Sequence, residues 1–389
     1  MGFFDKLKKI TKSSFGPKQK SVVAIDLGIS SVKLVQLRKE KGQAVLETYG
    51  ELACGPYNDL SVGQATDLPI EKTVELLKDL FKEANVTTPV AIFSIPLRDS
   101  LIVSIDVPEQ ARNNLAEVIP IEARKYVPVP ISEVMLDWWV IPGSSADQAN
   151  KAESTDGEVS VLTTENNASA KPVHGRKIEV LVASIHKDSI HQYQEIARQL
   201  KLKINSFEIE TFSSIRSVVP NDLAATAILD LGAGSSKIAV VDYGIVRLSH
   251  TIDKGAQDIT MAISKSLTVP FAKAEEIKRQ VGLVGDIDKG DLVEMVSPII
   301  EYIFAEANKV MLKYQKEHQR SIDKIVLIGG GALLEGILET AKAIVGVPIV
   351  VGLPFDKVEA PAFLNDILKE AGPEFAVAIG LALRKLEDL

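Results

Sequence analysis

Residues 26–37 read Asp-Leu-Gly-Ile-Ser-Ser-Val-Lys-Leu-Val-Gln-Leu, and residues 230–241 read Asp-Leu-Gly-Ala-Gly-Ser-Ser-Lys-Ile-Ala-Val-Val. Laid together without a gap, Asp26 falls on Asp230, Gly28 on Gly232, Ser31 on Ser235 and Lys33 on Lys237. Each stretch begins in a β-rich apolar run, residues 22–25 and 227–229, turns at small residues and enters a second apolar run. That is the signature of a strand, a turn and a strand. A repeat of this kind, a domain length apart, constrains the chain to a duplicated α/β architecture.

The repeated turn also suggests a chemistry. A phosphate needs several backbone N–H donors converging on it and a cation nearby, and Gly and Ser permit the turn that provides them. Two such turns facing each other would clasp a di- or triphosphate, with Gly28, Ser30, Ser31 and Lys33 on one side and Gly232, Gly234 and Ser235 on the other. Asp26 and Asp230, at strand ends, are suited to hold Mg²⁺ through its water shell. A third element, the apolar run 324–328 entering Gly329, Gly330 and Gly331, fits close backbone approach to a flat base or a helix-packing turn. Glu275 and Lys278, three apart, read either as a surface pair or as groups bracketing a nucleoside.

Composition removes other classes. The net charge of −8 and pI near 5.4 argue against a nucleic-acid partner, which calls for a basic stripe. Cys54 is the single cysteine, so no disulfide framework or paired-cysteine zinc site forms within one chain, and a reducing compartment fits. Apolar runs fall far short of the about 20 residues that cross a bilayer. Residues 1–19 form a basic tail in which Phe3, Phe4, Leu7 and Ile10 keep helical spacing among Lys6, Lys8, Lys9 and Lys12, as a weak interfacial anchor or a solvated tail would.

Between the repeats lies a pattern of its own: strands over 90–95 and 101–107, a helix over 108–126, strands over 134–141 and 178–184, and a helix over 187–200. Residues 143–176, poor in large apolar groups, read as a mobile loop within this αβ insertion. Beyond the second repeat, helices are expected over 256–266, 271–280, 291–318, 334–345 and 373–386.

Two Asp-x-Gly hairpins followed by an apolar strand ending in three glycines resemble the phosphate-1, phosphate-2 and adenosine motifs of the actin, sugar-kinase and heat-shock ATPase superfamily. More narrowly, residues 122–137, Glu-Ala-Arg-Lys-Tyr-Val-Pro-Val-Pro-Ile-Ser-Glu-Val-Met-Leu-Asp, resemble the signature of the type IV pilus assembly PilM family. Residues 372–384, Gly-Pro-Glu-Phe-Ala-Val-Ala-Ile-Gly-Leu-Ala-Leu-Arg, resemble its C-terminal helix. The resemblance covers residues 20–389 and departs at 143–176, which is longer than the family's connection.

The resemblance implies an FtsA-like, actin-like ATPase fold: two RNase-H-like lobes with ATP between them and an SHS2-like αβ insertion in the first. The boundaries are then 20–90 for the first lobe, 91–205 for the insertion, 206–224 for the crossing, 225–372 for the second lobe and 373–389 for the returning helix. It carries Asp26, Gly28, Ser30, Ser31, Lys33, Asp230, Gly232, Gly234 and Ser235 over as phosphate and Mg²⁺ contacts, Gly330 and Gly331 to the adenosine, and Gly255, Glu275 and Lys278 to the nucleoside.

The implied partner is the cytoplasmic N-terminal peptide of an inner-membrane PilN-like protein, placing the chain at the inner face of that membrane. Its groove is expected along Ile121, Arg124, Val127 and Val129, where Pro128 and Pro130 stiffen the backbone. Pilus motor components and a second copy of the chain are further partners left open. Glu210 is the one candidate for positioning a hydrolytic water, and a capping role fits it equally. An FtsA-like polymerising adaptor and a small-molecule kinase are the alternatives. The kinase lacks its catalytic set, and residues 384–389 are short for the adaptor's C-terminal anchor.

Overall fold

The computed structural model describes residues 21–142, 177–220, 223–284, 286–287 and 290–388. The expected tail 1–19 and loop 143–176 lie outside them. The chain divides into two compact units: one is Leu101–Lys187, and the other takes the chain up to Ser100 and from Asp188 onward.

In the larger unit, β1 (Ser21–Leu27) and β2 (Ser31–Glu40) form the first repeat hairpin, followed by β3 (Gln43–Ala53), helix α1 (Ile70–Glu83) and β4 (Val90–Ile95). Val22, Val23, Ala24 and Ile25 are all buried, so β1 is covered on both faces, which explains its unbroken apolar run. Helix α1 had no counterpart among the expected elements. It buries Thr73, Val74, Leu76, Leu77 and Leu80, a one-face spacing in an otherwise polar helix.

The smaller unit is built from β5 (Ser100–Pro108), α2 (Leu115–Ala123), β6 (Val134–Val140) and β7 (Lys177–His186), with sheet order β5-β7-β6. Its core joins Ile105, Val107, Ile119, Ala123, Val127, Val134, Ile178, Val180 and Val182. The helix expected over 108–126 is broken into a 3-10 stretch, Glu109–Asn114, and α2. Asn113 and Asn114 are poor helix formers, and Pro120 has no N–H to give the preceding turn.

The chain returns through α3 (Lys187–Gln199) and β8 (Lys203–Ile209), and β8 completes the first sheet in the order β3-β2-β1-β4-β8. Helix α4 (Glu210–Val218) then leads to the second repeat. Here β9 (Thr226–Leu231), β10 (Ser236–Asp242) and β11 (Ile245–Ile252) are followed by α5 (Ala256–Leu267), α6 (Phe271–Val281), a ribbon of β12 (Asp286–Ile287) and β13 (Gly290–Asp291), and α7 (Leu292–His318). Strand β14 (Lys324–Ile328), α8 (Ile337–Ile344) and β15 (Ile349–Val351) close the sheet in the order β11-β10-β9-β14-β15. The two sheets share one topology, with the second strand antiparallel to the first and the fourth parallel to it. This is the duplicated actin-like architecture.

Three boundaries differ from expectation. Strand β4 and the start of β8, placed in the expected insertion 91–205, pair with each other inside the first sheet. The segment after β15, assigned to the second lobe up to 372, packs on the first: Glu359 bridges Val45 at the edge of β3, and Phe355 and Phe375 meet Tyr49 edge-on at 5.8 and 5.5 Å. That attachment covers the β3 edge, which would otherwise be open for pairing. The helix expected over 334–345 starts at Ile337, after a 3-10 turn.

After α9 (Asn365–Ala371), the last helix α10 (Ala376–Glu387) lies on the first sheet, burying Ala378, Ile379, Leu381 and Ala382 against Val22, Ala24, Val35 and Leu37. It also crosses α4, and the crossing is close because both helices present small residues. Ser213, Ser214 and Ser217 are buried on α4, and a Cβ on Gly380 would lie 1.7 Å from the carbonyl oxygen of Ser213. The serine hydroxyls satisfy themselves locally, Ser214 donating to the Glu210 carbonyl at 3.0 Å and Ser217 to the Ser214 carbonyl at 2.8 Å. Gly380→Ala therefore forces the helices apart and costs about 1–3 kcal/mol, read as a lower urea midpoint. An unchanged midpoint would mean the crossing relaxes freely.

Candidate functional site

Asp26 and Asp230 end the first strands of the two hairpins, and each lies opposite a lysine on the second: Asp26 pairs with Lys33 and Asp230 with Lys237. The turns match in detail. A Cβ on Gly28 would lie 2.6 Å from the Ser31 carbonyl oxygen, and one on Gly232 would lie 2.7 Å from that of Ser235. Each turn doubles back on its own backbone, so each needs glycine at the same place. The turns also face each other, since a Cβ on Gly234 would lie 2.5 Å from the Ile29 side chain. Gly255 backs the second turn, with the N–H groups of Ala256 and Gln257 donating to the carbonyls of Gly232 and Ala233 at 2.9 Å each.

A cavity of about 670 Å³ opens around these turns, lined by Ser30, Ser31, Lys33, Ser235, Glu275, Lys278, Gly330 and Gly331 as well as by the two aspartates. Small-molecule sites commonly occupy roughly 300–1,000 Å³. Gly329, with φ of 80°, turns the chain past Asp230 Oδ1, where a Cβ would approach to 2.3 Å. The three-glycine turn therefore runs beside the second aspartate.

Charge in the cavity is unevenly compensated. Asp26 accepts from Ser94 Oγ at 2.7 Å, yet burial first, and the charge of Glu210 next, push its pKa up to about 6. Burial also raises Asp230, against the opposing pull of Lys237. Lys237 lies 3.0 Å from Glu210 Oε2 and 3.6 Å from Asp230 Oδ2. Burial works to neutralise it, and Glu210 and Asp230 outweigh that and hold it firmly charged. Glu210 spends its other oxygen on the Leu97 N–H at 2.6 Å. Both oxygens of the candidate catalytic carboxylate are thus engaged.

The donor chemistry suits a divalent cation. Two buried carboxylates held above their usual range would be relieved by one, and Mg²⁺ takes one or two carboxylates with retained waters. Among the described residues no group of three His, Cys, Asp or Glu converges as a protein-only metal cage would. Lys33 is the cation of the first turn, 2.6 Å from Ser31 Oγ and 2.9 Å from Glu51 Oε1.

Glu275 and Lys278 are a buried pair and not a surface one. Glu275 accepts from Lys278 at 2.6 Å, Thr260 at 2.7 Å and Arg279 at 2.8 Å. Burial would raise it, and these three donors, Lys278 foremost, hold it below the usual range. The loop at Gly63, with φ of 83°, presses on this carboxylate, and Gln257 Oε1 accepts the Ala65 N–H at 2.6 Å.

Two carboxylates escaped sequence reasoning. Glu51 on β3 and Glu374 before α10 meet beside Lys33, and Glu374 also flanks Gly330. Burial pushes Glu374 up to about 7, with the Glu51 carboxylate holding its proton, while Glu51, which burial would raise, is lowered by the Lys33 charge together with hydrogen bonds from Ser31, Lys33 and Glu374. Glu374 stood within the quoted 372–384 motif, and no local pattern marked Glu51.

On the smaller unit, the expected partner residues separate. Ile121 is 59% exposed and Arg124 is exposed, both on or just after α2. Val129 is half-buried against the core, and Val127, 7% exposed, belongs to it. Val127 fills the unit's own interior because it follows the last turn of α2 with its N–H bonded to the Ala123 carbonyl at 2.9 Å.

Against known proteins, the family model described as type IV pilus assembly protein PilM matches residues 24–156 and 165–386. The cell division protein FtsA of Pseudomonas aeruginosa is 24% identical over 95% of this chain and 90% of its own length. FtsA of Neisseria meningitidis is 28% identical over 51% of this chain, a match spanning 53% of that relative. Among solved structures, a PilM-PilN type IV pilus biogenesis complex superposes with a TM-score of 0.75 at 22% identity, covering 95% of this chain and 99% of that one. The ethanolamine utilization protein EutJ from Carboxydothermus hydrogenoformans gives a TM-score of 0.50 at 14% identity, covering 97% and 94%.

The shared proton has a sign that can be checked. Glu374 titrates higher folded than unfolded, so the folded chain binds the extra proton and its contribution to stability declines as pH rises from about 4.5 through about 7. Glu374→Gln should remove that decline relative to the parent in unfolding series across this range. Parallel curves for the two chains would place the proton elsewhere.

Proposed function

Because this chain belongs to the PilM family of type IV pilus assembly proteins, we propose that it works as an ATP-binding, actin-like scaffold that captures the cytoplasmic N-terminal peptide of an inner-membrane PilN-like protein. The observation that carries the nucleotide half is the pair of matching glycine turns, each with an aspartate and a lysine in register, opening on one cavity. Bound Mg-ATP would supply a compact polyanion with its own cation. The N–H groups of residues 28–31 and 232–235 and the Lys33 ammonium hold the phosphates, while Asp26 and Asp230 hold the hydrated ion. Gly330 and Gly331 leave room for the base, and Glu275 and Lys278 fix the nucleoside.

Turnover on this reading is slow. A side chain that orients an attacking water needs a free acceptor. Glu210 has committed one oxygen to Leu97 and the other to Lys237, so it serves first as a structural anchor. Holding nucleotide, rather than consuming it, suits a scaffold. No helix among the described residues is long and apolar enough to cross a membrane, and the proposed partner peptide would bring the chain to the inner face of one.

Calorimetry with Mg-ATP tests the nucleotide half: Asp230→Asn, with circular dichroism unchanged, and Gly232→Val, which also distorts its own turn, should each weaken affinity at least about tenfold, or ~1.4 kcal/mol. Unaltered affinity in both would remove the site. For the partner half, Ile121→Glu should reduce retention of the folded protein on an immobilised PilN-like N-terminal peptide. Full retention by both Ile121→Glu and Arg124→Ala would move the groove elsewhere.

A further inference from the structure

Among the described residues, the cations that line the nucleotide cavity are Lys33, Arg98, Lys237, Lys278 and Arg279. All but Arg98 are committed to carboxylates that line it too. Lys33 lies 2.9 Å from Glu51 and Lys237 3.0 Å from Glu210, while Lys278 and Arg279 both hold Glu275, at 2.6 and 2.8 Å. Arg98 instead turns its guanidinium to Asp67 at 2.8 Å and to Asp99 at 3.8 Å, and Asp67 is 77% exposed and stands outside the lining. An ion pair with so exposed a partner contributes little, so the guanidinium is held outward only weakly.

Arg98 also stands at the aspartate end of the cavity. It follows β4, which runs parallel to β1 with Phe93 opposite Ile25. From the end of that strand, Ser94 Oγ donates to Asp26 Oδ1 at 2.7 Å and the Leu97 N–H donates to Glu210 at 2.6 Å. Buried Tyr193, whose phenol is raised by burial foremost, feels the charges of Asp26 and Arg98 together. The groups read as nucleoside contacts come instead from α6 and the three-glycine turn. A nucleotide stretched from those groups to the paired turns carries its last phosphate farthest from them, toward Asp26 and Arg98.

Resting on the nucleotide reading, we infer that Arg98 tells a triphosphate from a diphosphate: its guanidinium leaves Asp67 and takes the oxygens of the terminal phosphate, a group the diphosphate lacks. The planar fork suits the task because it gives a phosphate parallel N–H bonds, and charge-assisted bonds of this kind are roughly twice as strong as neutral ones. Asp67 competes with the ligand for the same fork, and its own exposure to water makes that competition mild.

Calorimetric titration of the full chain with Mg-ATP and with Mg-ADP tests this, because a change that merely loosens the cleft moves both affinities and leaves their ratio alone. Arg98→Ala should lower the affinity for Mg-ATP roughly tenfold, or ~1.4 kcal/mol, and keep that for Mg-ADP within about twofold. Arg98→Lys, which keeps the charge and loses the fork, should recover only part of the loss. Asp67→Asn frees the guanidinium and should raise the affinity for Mg-ATP about twofold with Mg-ADP unmoved. Equal losses for both nucleotides in Arg98→Ala, or no loss for either, would overturn the inference and leave the nucleotide site standing. A parent chain that binds neither nucleotide would overturn the nucleotide reading and this inference with it.

Discussion

Lys237 stands between Glu210 and Asp230, at 3.0 and 3.6 Å, and this buried cation connects parts of the chain that are far apart in sequence. Lys237 comes from the second repeat hairpin. Glu210 opens the helix leading out of the first sheet and accepts the Leu97 N–H that follows β4. A buried ion pair adds little net stability over apolar packing, yet breaking it leaves an uncompensated charge at a cost of several kcal/mol. The network therefore specifies an arrangement: the two hairpins keep their facing positions because Lys237 has no better place for its charge.

Around that network the two sheets repeat one topology, and the helix crossing between α4 and α10 ties the second half back to the first. The crossing depends on Gly380 opposite buried serines, so the chain's two passes between sheets touch backbone to backbone. Such contact leaves little freedom at the base of the duplicated unit. At the mouth of the cavity, the Ala65–Gln257 hydrogen bond and the Gly63–Glu275 contact join the two halves.

Much of the frame was legible in local sequence. Strands β4 and β14 were read to the residue, since continuous apolar runs bounded by turns have few other solutions. The repeat hairpins were legible for a stronger reason: a turn that folds its carbonyl back to within 2.6–2.7 Å of a glycine Cβ position admits few residues. Helix α1 escaped because its apolar face is interrupted by charged residues, and β8 because its alternating polar sequence resembles a linker.

What the sequence by itself determined is the duplication, the two aspartate-glycine turns and the recurrence of a lysine seven residues after each aspartate. Those features are local, and their geometry follows from backbone sterics and strand register within a hairpin. Tertiary structure alone decided that Glu51 and Glu374 share a proton beside Lys33, that Glu275 is buried under three donors, that Val127 turns into the core, and that residues 353–371 cover the first sheet. Each of these joins residues far apart in the chain or depends on which face of an element is covered, and burial then sets the charge state. Spacing along the chain carries no record of either.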